Sequence, residues 1–159
     1  MTTTHTLRTA YGALVRGLDA LAPVGDLLIR LWVAKVFWQA GLTKLQSMYS
    51  TIGLFTYVYH VPLLPPEVAA YLGTGIEISV PVLLALGLAG RLSAGFLFIY
   101  NIVAVISYPG LSAGGLEYHA MWGLMLLITL LHGPGKLSLD YLIEKWARSS
   151  HRASLIKNS

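Results

Sequence analysis

The sequence predicts an all-α membrane protein: a bundle of four transmembrane helices with a short amphipathic helix at each end. Composition is the first indication, because 55% of the 159 residues are hydrophobic and only 11% are charged, whereas a soluble domain carries roughly 25% charged residues. Apolar segments long enough to cross a bilayer recur along the chain. The basic residues gather near the ends of those segments, as they do in membrane proteins.

The expected organisation is a transmembrane domain over residues 25–135 between two peripheral segments. Residues 1–24 carry apolar side chains at helical spacing beside charged ones, which is typical of an amphipathic helix on a membrane surface. Pro23 and Gly25 are expected to end that helix. Residues 136–159 are expected to form a second amphipathic helix followed by a disordered tail of about ten residues.

Residues 26–45 form the first predicted span. One face of this helix would carry residues spaced by three and four positions, namely Arg30, Ala34, Phe37, Gly41 and Lys44. Two cations and a glycine on that face indicate that it points into the bundle and not at lipid. No cleavable signal peptide is expected, so this span is expected to direct membrane insertion.

A long connection over residues 46–67 separates the first two spans. It is too apolar for a solvated loop and too interrupted by proline for another span. Residues 52–59 within it are predicted to be an interfacial or re-entrant segment, with tyrosines at headgroup depth. The other spans are expected at residues 68–88, 91–108 and 117–132, joined by short turns that contain glycine.

Four spans would place both chain ends on one side of the membrane. The basic residues expected on that side are Arg8, Arg16, Arg91, Lys136, Lys145, Arg148, Arg152 and Lys157. The long connection on the other side holds only Lys44. The positive-inside rule therefore predicts that both termini are cytoplasmic. The basic residues show no pattern of interleaved aromatic residues, so no nucleic-acid partner is expected.

Glu77 lies near the middle of the second span, where a carboxylate is costly unless it is paired or used. At about 1.5 Å of rise per residue, Lys35 and Asn101 fall at a similar depth, and Arg30 lies within reach of a long side chain. We therefore expect a buried polar centre of four residues, Glu77, Arg30, Lys35 and Asn101. The alternative is a structural ion pair with an asparagine that holds two helices together.

Pro81 follows Glu77 by four residues. Proline at that spacing leaves the backbone carbonyl of residue 77 without its helical hydrogen bond. A kink and a free acceptor beside the carboxylate are expected, which would suit a small polar cavity. The alternative is that the proline only bends the helix.

A second polar group is expected on the side opposite the termini, where His60, Glu67, Glu117 and His119 map. Imidazole and carboxylate are ligands for divalent metals, so these four residues are candidate metal ligands. Their spacing matches no tight metal motif, and an interfacial rim of polar and aromatic residues is the alternative. His119 and His132 lie about 20 Å apart on one helix, so no facing pair of haem ligands is visible and haem is not expected.

The order and spacing of several residues resemble those of the DoxX family of small membrane proteins. In the first span the matching residues are Arg30, Phe37, Gly41 and Lys44. Further along they are Glu77, Gly87, Arg91 and Ala94, and then the run Gly133-Pro134-Gly135-Lys136-Leu137-Ser138-Leu139-Asp140. The resemblance covers roughly residues 25–145. Residues 118–140 look most like the HvfX-type members, which accompany small metal-responsive peptides and their modifying enzymes in bacterial operons.

The resemblance implies a multi-pass protein of the bacterial inner membrane. It marks further polar positions of the family beside Arg30 and Glu77, namely Lys44, Arg91, Ser138 and Asp140. Some relatives are membrane subunits of a thiosulfate:quinone oxidoreductase, and others are linked to oxidative-stress complexes. An accessory or subunit of a membrane redox or metal/oxidative-stress system is therefore implied, with a protein partner encoded nearby and quinone as a candidate ligand.

Two functions of other classes stay open at this point. In the first, Glu77 at the midplane serves a small ion or metal transporter as a ligand or proton carrier. In the second, the amphipathic ends anchor a partner enzyme at the membrane. The chain has no cysteine, which excludes disulfides and thiolate metal sites. Glycines on several helix faces favour a homo-oligomer, and the sequence leaves undecided whether the protein is an enzyme.

Overall fold

The computed structural model describes residues 2–157, with side chains described at residue 8 and over residues 10–150. Within that part of the chain the structure contains six helices and no strand. The helices are α1 (Thr2–Leu45), α2 (Met48–Tyr57), α3 (Pro66–Leu86), α4 (Gly90–Ser107), α5 (Ala113–His132) and α6 (Leu139–Lys157). The predicted all-α class is confirmed.

Three helices, α3, α4 and α5, are long and apolar enough to cross a membrane. Local sequence explains their ends. Pro66 occupies the first turn of α3, where a missing N–H costs nothing, and the Ser112 hydroxyl accepts from the backbone N–H of Gly115 to begin α5. That cap starts α5 at Ala113, a turn earlier than the span predicted from apolar residues alone.

α1 is one continuous helix of 44 residues, about 66 Å long at 1.5 Å per residue. The prediction that Pro23 and Gly25 end a separate amphipathic helix is therefore wrong, because both lie inside α1. A proline removes one hydrogen bond from the helix. The strong helix formers over residues 20–22 and 27–28 continue the helix on either side of it.

α2 lies in the long connection that follows α1, where a short interfacial or re-entrant segment is predicted. Its N-terminus is capped by the Ser47 hydroxyl, which accepts from the backbone N–H of Ser50 at 3.2 Å. Phe55 on α2 packs against Ala69 and Ala70 at the start of α3. α2 therefore covers the beginning of α3, and we name this part of the molecule the α2 end.

The main apolar core lies between α1, α3, α4 and α5. Its fully buried members are Val33 of α1, Leu84 of α3, Leu97 of α4 and Leu126 of α5. The face of α1 that was predicted to point inward is buried at Arg30, Ala34, Phe37 and Gly41 and partly buried at Lys44. Helical periodicity therefore identified the inward face of α1 correctly.

Arg30 joins three parts of the chain at the end opposite α2. Its side chain is 0% exposed. Nη1 donates to the carbonyls of Leu84 at 3.1 Å and Ala85 at 2.9 Å, and Nη2 donates to the carbonyl of Leu137 at 2.5 Å. Carbonyls in the last turn of a helix lack helical partners, so Arg30 caps α3 and fastens the α5–α6 connection to it.

Asp140 and Arg91 fasten the neighbouring helix ends. The Asp140 carboxylate accepts from the backbone N–H groups of Ala89 at 2.8 Å and Gly90 at 2.7 Å, where α4 begins. Arg91 donates to the last three carbonyls of α5 at 2.9–3.3 Å. An anion at a helix N-terminus and a cation at a C-terminus both complement the helix dipole. Together with Gly87 and Ser138, these side chains form a group that we name the helix-end cluster: Arg30, Gly87, Arg91, Ser138 and Asp140.

α6 begins beside the helix-end cluster and runs to Lys157. Leu142, Ile143 and Trp146 are exposed at helical spacing, so the predicted second amphipathic helix is present. The last ten residues are expected to be disordered, but α6 continues through Lys157. Good helix formers in this segment favour the helix. The rest of that tail, residues 158–159, lies outside the described residues.

Gly87 has a backbone conformation that favours glycine, with φ of +64°. A Cβ atom there would lie 2.5 Å from Ser138 Cβ and 2.6 Å from Arg30 Nη1. Gly87 therefore allows the chain after α3 to contact both Arg30 and the start of α6.

We predict that Gly87→Ala lowers the free energy of unfolding by about 1–3 kcal/mol, because it adds both backbone strain and a steric clash. Thermal unfolding of the purified, detergent-solubilised protein measures the loss. Gly75→Ala is the matched control, since a Cβ at this position within α3 meets nothing within 4 Å. Equal destabilisation by the two substitutions would contradict the role assigned to Gly87.

Candidate functional site

A cavity of about 480 Å³ lies between α1, α3, α4 and α5, a volume typical of small-molecule sites. Phe55, Tyr59 and Val61, from α2 and the loop after it, line the cavity at the α2 end. Most of the remaining wall is apolar or aromatic. The side chains that bring polar groups to it are Lys44, Tyr59, Glu77, Tyr100, Ser107, Tyr108, His119 and Trp122.

Glu77 and Lys44 form an ion pair in the cavity wall. Lys44 Nζ donates to both carboxylate oxygens, at 2.5 and 2.6 Å, and the Tyr100 hydroxyl donates to Glu77 Oε1 at 2.9 Å. Glu77 is only 5% exposed, so this carboxylate has exchanged water for an ammonium group and a phenol. An ionised carboxylate only accepts hydrogen bonds, which means that both neighbours act as donors toward it.

Gly41 brings α1 close enough to α3 for this ion pair to form. A Cβ atom at Gly41 would lie 2.9 Å from Glu77 Cβ and 3.0 Å from its carbonyl carbon. Lys44 follows one turn later on the same face, in the last turn of α1. A cation in that position also interacts favourably with the C-terminal end of the helix.

The cation beside Glu77 is therefore Lys44, and the expectation of Arg30 or Lys35 in that role is corrected. Arg30 lies in the helix-end cluster, and Lys35 is exposed on the outer face of α1. The error is one of axial register. α1 ends one turn beyond the level of Glu77, since Gly41 touches Glu77, whereas α3 continues about 16 Å further to Pro66. The prediction assumed that α1 and α3 begin and end at the same levels along the bundle axis.

Asn101 is buried as expected but binds His119 of α5 and not Glu77. Asn101 Nδ2 donates to the backbone carbonyl of His119 at 2.9 Å, and Asn101 Oδ1 lies 2.7 Å from His119 Nδ1. The four residues of the predicted polar centre are thus separated: Glu77 lies in the cavity wall, Asn101 is bonded to His119, Arg30 lies in the helix-end cluster and Lys35 lies on the outer surface.

Ser107, the last residue of α4, is among the residues that line the cavity. It is 3% exposed, and its Oγ is enclosed and has no hydrogen-bond partner among the described residues. An unsatisfied buried hydroxyl costs about 1–3 kcal/mol.

Two tyrosines lie beside Ser107 at the α2 end of the cavity. Tyr59 packs edge-on against Tyr108, with ring centroids 5.3 Å apart, and the backbone N–H of His60 donates to the carbonyl of Ser107 at 2.7 Å. Burial, and then the proximity of Tyr108 and Glu77, raises the pKa of Tyr59 above its usual value. Tyr59 therefore stays neutral at physiological pH and serves as a hydrogen-bonding group.

The cavity reaches the outer surface between α3 and α4. Leu72 of α3 and Phe96 and Ile99 of α4 line it, yet each exposes half or more of its surface. These side chains are apolar, and they lie on helices of membrane-spanning length. The opening therefore faces the region that lipid would occupy.

The candidate metal ligands are not brought together. Among the described residues no group of three or more His, Cys, Asp or Glu side chains could hold a metal ion. His60, Glu67 and Glu117 are exposed, and His119 is bonded to Asn101. The prediction of a metal site from these residues is corrected, because their shared depth did not place them on facing surfaces.

Sequence reasoning missed Tyr100, Ser107 and Trp122 as cavity residues. A tyrosine directly before Asn101 in an apolar span was a usable indication, since it places polar groups on two adjacent faces of one helix. Ser107 and Trp122 offered no such indication. Serine at a helix end and tryptophan near a membrane interface are ordinary in membrane proteins.

Apolar helices around an internal cavity, with a buried ion pair in its wall, define an α-helical membrane protein with a ligand-sized site. The chain belongs to the DoxX family, whose model matches residues 25–109. The family resemblance seen in the sequence is confirmed.

Two relatives show the same relationship over most of their length. A Haemophilus influenzae protein of unassigned function is 32% identical over 130 residues, which is 77% of this chain and 85% of the relative. A Bacillus subtilis protein named "Putative oxidoreductase CatD" is 30% identical over 132 residues, which is 80% of this chain and 93% of the relative. No solved structure matches the chain.

We predict that Glu77→Gln destabilises the protein by on the order of 2–3 kcal/mol, because it leaves the Lys44 ammonium without its counter-charge. The double variant Lys44→Met, Glu77→Gln should recover much of that loss, since neither charge is then present. Thermal unfolding of both single variants and the double variant measures the coupling. Glu67→Gln, the same change at an exposed position of α3, is the control and should have little effect. Simple additivity of the two single losses would contradict a coupled pair.

Proposed function

We propose that this protein is a DoxX-type subunit of a membrane redox system and that its cavity holds a lipophilic ligand with a polar head group, of the quinone type. The observation that carries the proposal is a largely apolar cavity of about 480 Å³ that holds a few polar side chains and opens toward lipid. A soluble polar substrate would not require a lateral opening.

The lining of the cavity fits such a ligand. Phe37 packs edge-on against Tyr100 and Trp122, with centroids 6.3 and 6.2 Å apart, and these rings offer a surface for a flat head group. The polar groups beside Glu77 supply hydrogen bonds, and the gap between α3 and α4 leaves a path for an isoprenoid or alkyl tail. A quinone would supply two-electron, two-proton chemistry, while the chain's residues hold its head group.

We also propose that residues 26–45 of α1 form a fourth transmembrane helix, which completes a four-helix domain over residues 25–135. Two of its charges are satisfied inside the bundle, since Arg30 donates to backbone carbonyls and Lys44 is paired with Glu77. Lys35 is the cation of this segment that lies on its exposed face. The basic residues near the helix-end cluster support cytoplasmic termini and an inner-membrane location, with α6 and residues 2–24 as peripheral segments.

Electrons would pass between the ligand and a protein partner. The chain has no cysteine with which to bind an iron–sulfur cluster or form a redox-active disulfide. The name of the Bacillus relative supports an oxidoreductase system. The likeness of residues 118–140 to HvfX-type members supports a metal- or oxidative-stress setting for that system. The transporter alternative is less well supported, because Lys44 already neutralises the Glu77 carboxylate.

Quinone binding is testable through tryptophan fluorescence, because quinones quench it and Trp122 lines the cavity. We predict that decylubiquinone quenches the fluorescence of the purified protein in lipid nanodiscs with saturation, and that Trp122→Phe removes most of the saturable part.

If the folded wild-type protein shows no saturable quenching, or if Trp122→Phe leaves the saturable part intact, the cavity does not bind quinone and the proposal is wrong.

A further inference from the structure

We propose that the cavity selects the reduced, hydroxyl-bearing form of its ligand, a hydroquinone, over the oxidised quinone. This inference rests on the proposed function and adds the chemical form that the site prefers. Its basis is the hydrogen-bonding direction of Tyr100 and His119, which the surrounding contacts determine. Both present lone pairs to the cavity, and a hydroquinone carries O–H donors where a quinone carries acceptors.

Tyr100 is the first acceptor. Its hydroxyl has one proton, and that proton is committed to Glu77 Oε1 at 2.9 Å. Tyr100 must be the donor in this hydrogen bond, because the Glu77 carboxylate is ionised by its pairing with Lys44 and carries no proton. Tyr100 lines the cavity, and its hydroxyl oxygen has only lone pairs to offer.

His119 is the second acceptor. The backbone carbonyl of His119 only accepts, so the amide group bonded to it at 2.9 Å must be Asn101 Nδ2. Asn101 Oδ1 then faces His119 Nδ1 at 2.7 Å, which requires the proton of the neutral imidazole to be on Nδ1. Nε2 is left unprotonated and has no hydrogen-bond partner in the described part of the chain. His119 lines the cavity, so Nε2 is a lone-pair acceptor for a ligand there.

The two acceptors lie along one aromatic wall. Phe37 packs against both Tyr100 and Trp122, and Trp122 packs against His119 with centroids 4.9 Å apart. A flat ring against this wall has its polar substituents near groups that accept hydrogen bonds.

An oxidised quinone fits this pattern less well. Its carbonyl oxygens could accept from the third ammonium hydrogen of Lys44. It would still bring acceptors toward the lone pairs of Tyr100 and His119 and leave both without a partner. A hydroquinone can donate to both.

The experiment compares the two forms on the full-length protein in nanodiscs without oxygen. Decylubiquinone binding is read from tryptophan quenching, and decylubiquinol binding from displacement of the quinone. We expect the quinol to bind roughly tenfold more tightly or better, the effect of one or two hydrogen bonds. Comparable affinities for the two forms, or tighter binding of the quinone, would overturn the inference, and this comparison needs no variant.

His119→Phe and Tyr100→Phe test the two acceptors separately. Each should weaken quinol binding several-fold to roughly tenfold and so lower the ratio of quinol affinity to quinone affinity. The matched controls are His132→Phe and Tyr71→Phe, which make the same changes at exposed positions outside the cavity and should alter neither affinity.

The outcomes separate the two proposals. If neither form binds saturably, the proposed function fails and the inference fails with it. If both forms bind and the cavity variants leave their affinity ratio unchanged, the inference alone is overturned. A lower ratio in both cavity variants, with unchanged ratios in both controls, supports it.

Discussion

The cavity depends on the ion pair between Lys44 and Glu77. A carboxylate among apolar helices needs a cation within reach, and Gly41 lets α1 lie close enough to α3 to supply one. Because the paired carboxylate only accepts hydrogen bonds, the Tyr100 hydroxyl donates to it. One electrostatic contact thus sets both the approach of α1 to α3 and the donor and acceptor pattern of the cavity wall.

The polar residues that carry the family resemblance divide between two tasks. Arg30, Arg91 and Asp140 bind backbone groups at the ends of α3, α5 and α4 and have little contact with the cavity. These side chains form hydrogen bonds with the backbone N–H and C=O groups that helix termini leave without partners. Lys44 and Glu77 instead bind each other in the cavity wall. A polar residue inside a membrane segment is therefore not by itself evidence of chemistry, since a buried arginine can act as a helix cap.

Periodicity and composition predicted the helical class and the inward face of α1, because both are local properties of the chain. They could not predict that Glu77 pairs with Lys44. That pairing depends on where α1 ends relative to α3, and α2 fills the difference. Periodicity specifies which face of a helix is buried but not its position along the axis. The unpaired state of the Ser107 hydroxyl could not be predicted for a related reason, since it is defined by the absence of neighbours in three dimensions.

The two acceptors of the cavity come from one dipeptide of α4. Consecutive helix residues point about 100° apart, so Tyr100 bonds to Glu77 on α3 while Asn101 orients His119 on α5. α4 therefore connects the ion pair to the imidazole through a rigid backbone, and rotation of α4 about its axis would misalign both at once. Arg91 and Asp140 hold the far end of that helix. The helix-end cluster thus acts on the cavity through the orientation of α4, although it lies about 16 Å away along the helix.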